Sequence, residues 1–214
     1  MIPYSREVFF SFLADYNAAI WPAQAVAHLL GVMAVSLTFK ATGYNGRIVS
    51  AIMAAAWIWT GEIYHLTFFV SISFWDRGFG TLFIIQGLLI IWSGVCRSHL
   101  RFDAKARELT GRAGLAIVIL ALVAYPLLSG AIGYGWSETA WFGVSPTATV
   151  IFTLGLLLMT GQGRRTHLLV IPLLCSATGF ALALLLPLPQ DWMLLPVGLA
   201  ATILAFRRTS RSDL

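Results

Sequence analysis

Chemistry in this sequence concentrates in one segment, Trp59-Thr60-Gly61-Glu62-Ile63-Tyr64-His65, which holds the one carboxylate inside any of the chain's long apolar runs. No such run contains Lys or Arg. A charged side chain near the centre of a membrane helix costs about 2.5 to 3.5 kcal/mol on insertion scales, so Glu62 calls for a compensating role. His65 lies three positions on, on the same face of an α-helix. A carboxylate and an imidazole at that spacing can exchange protons, bind a cation or ligate a metal. Counting inward from the same end of neighbouring apolar runs reaches His28, Gln86 and Tyr125 at matching depth, roughly 8 to 12 Å below the outer surface. Gln24 and His28 are i and i+4, as are Tyr125 and Ser129, so each pair extends a polar stripe toward that surface. Asp15, Asn17, Gln24 and Asp76 stand at the mouth of the pocket this layer would form. Gly61, Gly87 and nearby alanines would let the helix backbones approach closely around it.

Three classes of function use such a layer. In a carrier or channel-like protein Glu62 exchanges protons or holds a small cation, the histidines relay protons, and Asp15 and Asp76 attract positive charge. In a metal or haem protein His28, Glu62 and His65 are the candidate ligands, because Glu-x-x-His is a spacing by which bundle helices present metal ligands. A di-metal centre would need more carboxylates and a second such motif, so one metal is the most this set supports. In a structural or assembly subunit the layer only fixes helix register, through interhelical hydrogen bonds worth about 0.6 kcal/mol each. There Glu62 is a neutral acid bonded to His65, Gln86 or Tyr125. Gln86 or Tyr125 alone reads as packing, and His99 and His167 read as solvated. The carrier reading predicts that Glu62→Gln abolishes activity with folding nearly intact. Catalysis finds little support: Ser93 and Ser176 have no evident base, and neither a Gly-x-Ser-x-Gly elbow nor a Gly-x-x-x-x-Gly-Lys loop occurs. The last apolar run lacks a lysine for a retinal Schiff base.

The elements that must position these residues follow from composition. The chain has 214 residues, 58% hydrophobic and 11% charged, with a mean hydropathy of +0.82, whereas soluble domains carry roughly 25% charge. Apolar runs fall at about 21–39, 48–70, 79–96, 113–133, 144–160, 168–187 and 192–206. About 20 apolar residues cross the hydrocarbon core, so these predict an all-α transmembrane bundle of seven spans in a single domain, 1–214. Pro187, Pro189 and Pro196 leave open that the last two form a re-entrant pair.

Charge supports seven. Lys40 and Arg47, then Arg97, Arg101, Lys105, Arg107 and Arg112, then Arg164 and Arg165, and finally Arg207, Arg208 and Arg211 all fall on alternate connections. By the positive-inside rule those twelve of fourteen basic residues mark the cytoplasm, which puts the N-terminus outside and the C-terminus inside. The other side holds Arg6 and Arg77 with Glu7, Asp15, Asp76, Glu138 and Asp191. Trp21, Trp75, Trp136, Trp141 and Trp192 gather there as an aromatic belt would. The net charge of +5 is thus accounted for by topology, with the lipid bilayer as partner and no nucleic-acid signal. Protein partners and self-association stay open.

Before the first run, Val8, Phe9, Phe12, Leu13 and Tyr16 share one helical face, which predicts a short N-terminal interfacial helix. Asp15, Tyr16 and Asn17 interrupt the core a signal peptide would need, so the N-terminus is expected to be retained. Cys96 and Cys175 sit at the end of one span and inside another, too separated for a disulfide framework.

The opening Phe9-Phe10, followed by Tyr16-Asn17-Ala18-Ala19-Ile20-Trp21-Pro22-Ala23-Gln24 and then seven apolar runs, resembles a family of bacterial integral membrane proteins known as domain-of-unknown-function family 6064. The resemblance covers most of the chain, its most specific part being Tyr-Asn then Trp-Pro-Ala-Gln. It implies a multi-pass protein of the bacterial inner membrane and carries no activity, cofactor or catalytic residues.

Overall fold

The computed structural model describes residues 4–104, 109–131, 135–160 and 167–212. Lys105, Arg107, Arg164 and Arg165, four of the residues in the charge pattern, lie outside them. The described chain is helical, apart from an isolated bridge between Phe102 and Thr160.

Helix α1 spans Arg6–Ala19; the Ser5 hydroxyl caps it by accepting from the Val8 N–H, and Glu7 sits in the first turn where the helix dipole favours an anion. Its buried face is Phe9, Phe10, Phe12, Leu13, Tyr16 and Asn17. Val8, expected on that face, is exposed, because the aromatic rings turn inward onto Tyr64, Phe69, Ala183, Leu186 and Leu188. An 83° bend separates α1 from α2, Ala23–Thr38.

Thr42 caps α3, Gly43–Trp59, which runs on as a π-helix over Thr60–Phe68 and a 3-10 turn, Phe69–Ser71. After α4, Asp76–Ile90, a second π segment covers Ile91–Cys96. Helix α5, Leu109–Ile119, passes through a third, Leu120–Ala124, into α6, Tyr125–Ala131. Helices α7, Pro146–Leu158, and α8, His167–Leu185, follow, then a 3-10 turn, Pro189–Met193, and α9, Leu194–Ser212.

Among the described residues four rods are long and apolar enough to cross a membrane: Asp76–Cys96, Leu109–Ser129, His167–Leu185 and Pro189–Arg207. A fifth is counted if α1 and α2 form one broken span. Three of the seven expected runs therefore fall short when taken alone. The run at 21–39 yields the 16-residue α2. The run at 48–70 begins earlier, at Gly43, and carries the polar Thr60–His65 stretch. The run at 144–160 yields α7, whose 13 residues span about 20 Å.

Helix α7 is the centre of the bundle. Every residue from 148 to 158 is buried, as expected of a helix apolar all round, and α3, α5, α8 and α9 pack against it. Glycines set the closest approaches: a Cβ on Gly114 of α5 would meet the Gly155 carbonyl of α7 at 2.5 Å, and one on Gly61 would meet the Gly80 carbonyl of α4 at 2.8 Å. Gly87 likewise admits the Ala54 carbonyl of α3, at 3.1 Å from a built Cβ.

Candidate functional site

A cavity of about 370 Å³ opens among α1, the π-helix after α3, α4, α6, α8 and the turn before α9. Most of its wall is apolar and aromatic: Phe9 and Leu13 from α1, Tyr64 and Phe69, Phe79 and Phe83 from α4, and Leu182 from α8. Phe83 is backed by Trp57, with ring centroids 4.3 Å apart, and Trp57 donates to the Thr153 hydroxyl of α7 at 2.8 Å. The cavity's inner end is thereby anchored to the central helix.

Two buried polar pairs interrupt this wall. His65 Nδ1 lies 2.5 Å from Asp76 Oδ1, and both residues are buried. Asp76 is the first residue of α4, so its carboxylate also meets the positive end of that helix. With the carboxylate accepting from Nδ1–H, Nε2 is the atom left to take or give a proton, and it has no partner among the described residues. In the second pair the Tyr125 hydroxyl donates to Asp191 Oδ1, and the Thr147 hydroxyl bonds to the same carboxylate. Gln190, beside Asp191, also lines the cavity, and its Oε1 is buried without a partner among the described residues. Tyr4 and Glu138 stand on the wall as well. Burial pushes the Tyr4 phenol above the usual tyrosine range, and the negative charge of Asp76 adds to the shift.

Of the expected polar layer, the structure brings His65, Tyr125 and Ser129 to this cavity, joined by Asp76 from the expected mouth, and leaves Glu62, Gln86 and His28 off its wall. Glu62 is exposed on the outside of the bundle, with no hydrogen bond or ion pair from its side chain among the described residues. The cause is the π-helix. Its i→i+5 bonding widens the turn, so residues three apart no longer share a face, and turning His65 inward carries Glu62 outward. Gln86 is fully buried and donates to the Leu168 carbonyl at 2.9 Å, joining α4 to α8. His28 packs edge-on against Trp141 at 5.7 Å, with Nδ1 unpartnered among the described residues. Among the described residues no three His, Cys, Asp or Glu side chains converge on a metal position, and His28, Glu62 and His65 are no exception.

The expected mouth residues divide too. Asp15 is exposed. Asn17 donates to the carbonyls of Ser137 at 2.7 Å and Thr139 at 3.0 Å, Tyr16 donates to that of Val144 at 2.6 Å, and Gln24 donates to that of Asn17 at 2.5 Å. The Tyr-Asn and Gln of the distinctive N-terminal stretch thus tie α1 across the bundle end, onto the connection before α7, and fix the bend into α2.

The sequence alone places Asp191 among the charges of the outer connections. The signal that could have found it is the Leu186-Pro187-Leu188-Pro189 approach: the two leucines are buried, so the turn folds back into the bundle and carries Asp191 with it.

The model of a family of unknown function, DUF6064, matches residues 6–214, essentially the whole chain. No curated protein and no solved structure matches it.

Proposed function

The chain belongs to the DUF6064 family, whose function is unknown, and from that premise we propose that it is a carrier-like membrane protein that exchanges protons or a cation through the cavity held by His65, Asp76, Tyr125 and Asp191. The observation that carries this is the convergence of two buried carboxylates, one on a histidine and one on a tyrosine, in a single cavity of the bundle. Ionisable groups inside a membrane bundle mark ion and proton paths more often than they serve as glue. The π-helix that turns His65 inward supports the same reading, since such segments recur at functional sites.

In the proposed topology the bundle crosses the bilayer seven times. Helices α2 and α3 with its extension cross beside the four long apolar rods. Helix α7 crosses as an inner element whose neighbours shield it, so its length need not match the hydrocarbon. The basic connections then face the cytoplasm and the cavity faces outward, with exposed Trp21, Trp75, Trp136 and Trp192 at the outer interface. The compartment is the inner membrane of a bacterium, as the sequence resemblance implies.

Purified protein in liposomes under an imposed pH gradient tests the function. Wild type is expected to dissipate the gradient faster than protein-free vesicles, while folded His65→Gln and Asp191→Asn do not. Equal rates for wild type and both variants would overturn the carrier reading in favour of a structural role.

A further inference from the structure

We propose that the cavity's cargo is an organic amine with an apolar body, bound as the N–H-bearing ammonium ion at Asp191; this rests on the carrier reading and names its substrate class. Size argues first. A cavity of about 370 Å³ falls in the range of small-molecule sites, roughly 300 to 1,000 Å³, and is far larger than a bare inorganic cation requires.

Charge argues second. Asp76, Asp191 and Glu138 line the cavity, and no Lys or Arg does among the described residues. Asp76 has His65 as its partner, whereas Asp191 is buried against the neutral hydroxyls of Tyr125 and Thr147. A buried carboxylate with only neutral donors gains most from a cation brought into contact with it.

Hydrogen bonding argues third, and it separates one kind of cation from another. Gln190 Oε1 is a buried acceptor without a donor, on a side chain adjacent to Asp191 and itself more than nine-tenths buried. His65 Nε2, in the other buried pair, is likewise unpartnered among the described residues. An occupant that donates N–H bonds satisfies such groups; a quaternary ammonium cannot. The aromatic walls suit both ends of the ligand, since Phe and Tyr rings accept an apolar body and attract an ammonium through their faces.

Calorimetric titration of the protein in nanodiscs with three probes of one shape tests this: phenethylamine, its trimethylammonium analogue, and phenethyl alcohol. Phenethylamine is expected to bind, with the two analogues weaker by about tenfold or more, the scale of losing charged hydrogen bonds. Asp191→Asn and, as a variant that leaves the carboxylate in place, Gln190→Leu are each expected to weaken the amine selectively. Equal binding of the alcohol, equal binding of the quaternary analogue, or unchanged amine affinity in folded Asp191→Asn would each overturn the proposal. The liposome pH assay separates this from the parent reading. Gradient dissipation without amine binding leaves the carrier and removes the cargo class, while amine binding without dissipation keeps the ligand class and removes the carrier.

Discussion

Asp76 and Asp191 differ in what holds them, and the difference decides what each can do. Asp76 accepts from an imidazole at 2.5 Å and sits on a helix N-terminus, a pairing that can pass a proton between the two side chains. Replacing it by Asn leaves His65 with a weaker partner. Asp76→Asn is expected to lower stability by about 1 to 3 kcal/mol, read by thermal unfolding in detergent, and to remove the pH-gradient dissipation. Tyr125→Phe strips the aromatic donor from Asp191 at a cost of the same order. Glu62→Gln, by contrast, changes a side chain outside the cavity and is expected to dissipate the gradient at the wild-type rate. Loss of activity in that variant would return the proton path to Glu62.

Among the elements, α1 and the close-packed pair α5 and α7 are the most exposed to test. Helix α1 is held by side chains donating to backbone carbonyls of a connection more than a hundred residues away, and Asn17 alone makes two such bonds. Asn17→Ala is expected to cost about 1 to 3 kcal/mol in thermal unfolding, while Asp15→Ala, two residues earlier but exposed, stays within about 0.5 kcal/mol. At the centre, the Gly114 position meets the Gly155 carbonyl at a distance no side chain tolerates, and the obstacle is backbone. Gly114→Leu is expected to destabilise by about 3 kcal/mol or more, beyond ordinary overpacking, with yield and melting temperature in detergent as the measures.

For the whole molecule, the arrangement of ends is what remains to be placed in a membrane. Cys96 is exposed at the end of the π segment that follows α4 and Cys175 is buried in α8, which makes Cys96 a natural single-site reporter. The seven-crossing topology expects a membrane-impermeant maleimide to label Cys96 only from the side of the C-terminus. A Ser137→Cys substitution in a Cys96→Ser background is expected to be labelled only from the opposite side. Labelling of both from one side would reduce the crossings.

Much of this protein was determined by sequence alone, because a chain that is 58% hydrophobic with apolar runs of helix length has few ways to satisfy its backbone other than as packed helices. The family, too, was legible, since the Tyr16-Asn17 to Gln24 stretch is distinctive; its hydrogen bonds to the 137–144 backbone give that stretch a physical role. Candidate residues His65, Asp76 and Tyr125 could be found by asking which polar side chains lie near one end of the apolar runs. Their pairings, His65 with Asp76 and Tyr125 with Asp191, could not. Counting by threes and fours assumes α-helical turns, and the π-helix at Thr60–Phe68 breaks that assumption where it mattered most, sending Glu62 out while His65 turns in. The burial of Asp191 depends on a turn folding back between α8 and α9, and the central place of α7 depends on α3, α5, α8 and α9 closing around it. Both are set by packing between distant segments, which only the tertiary structure decides.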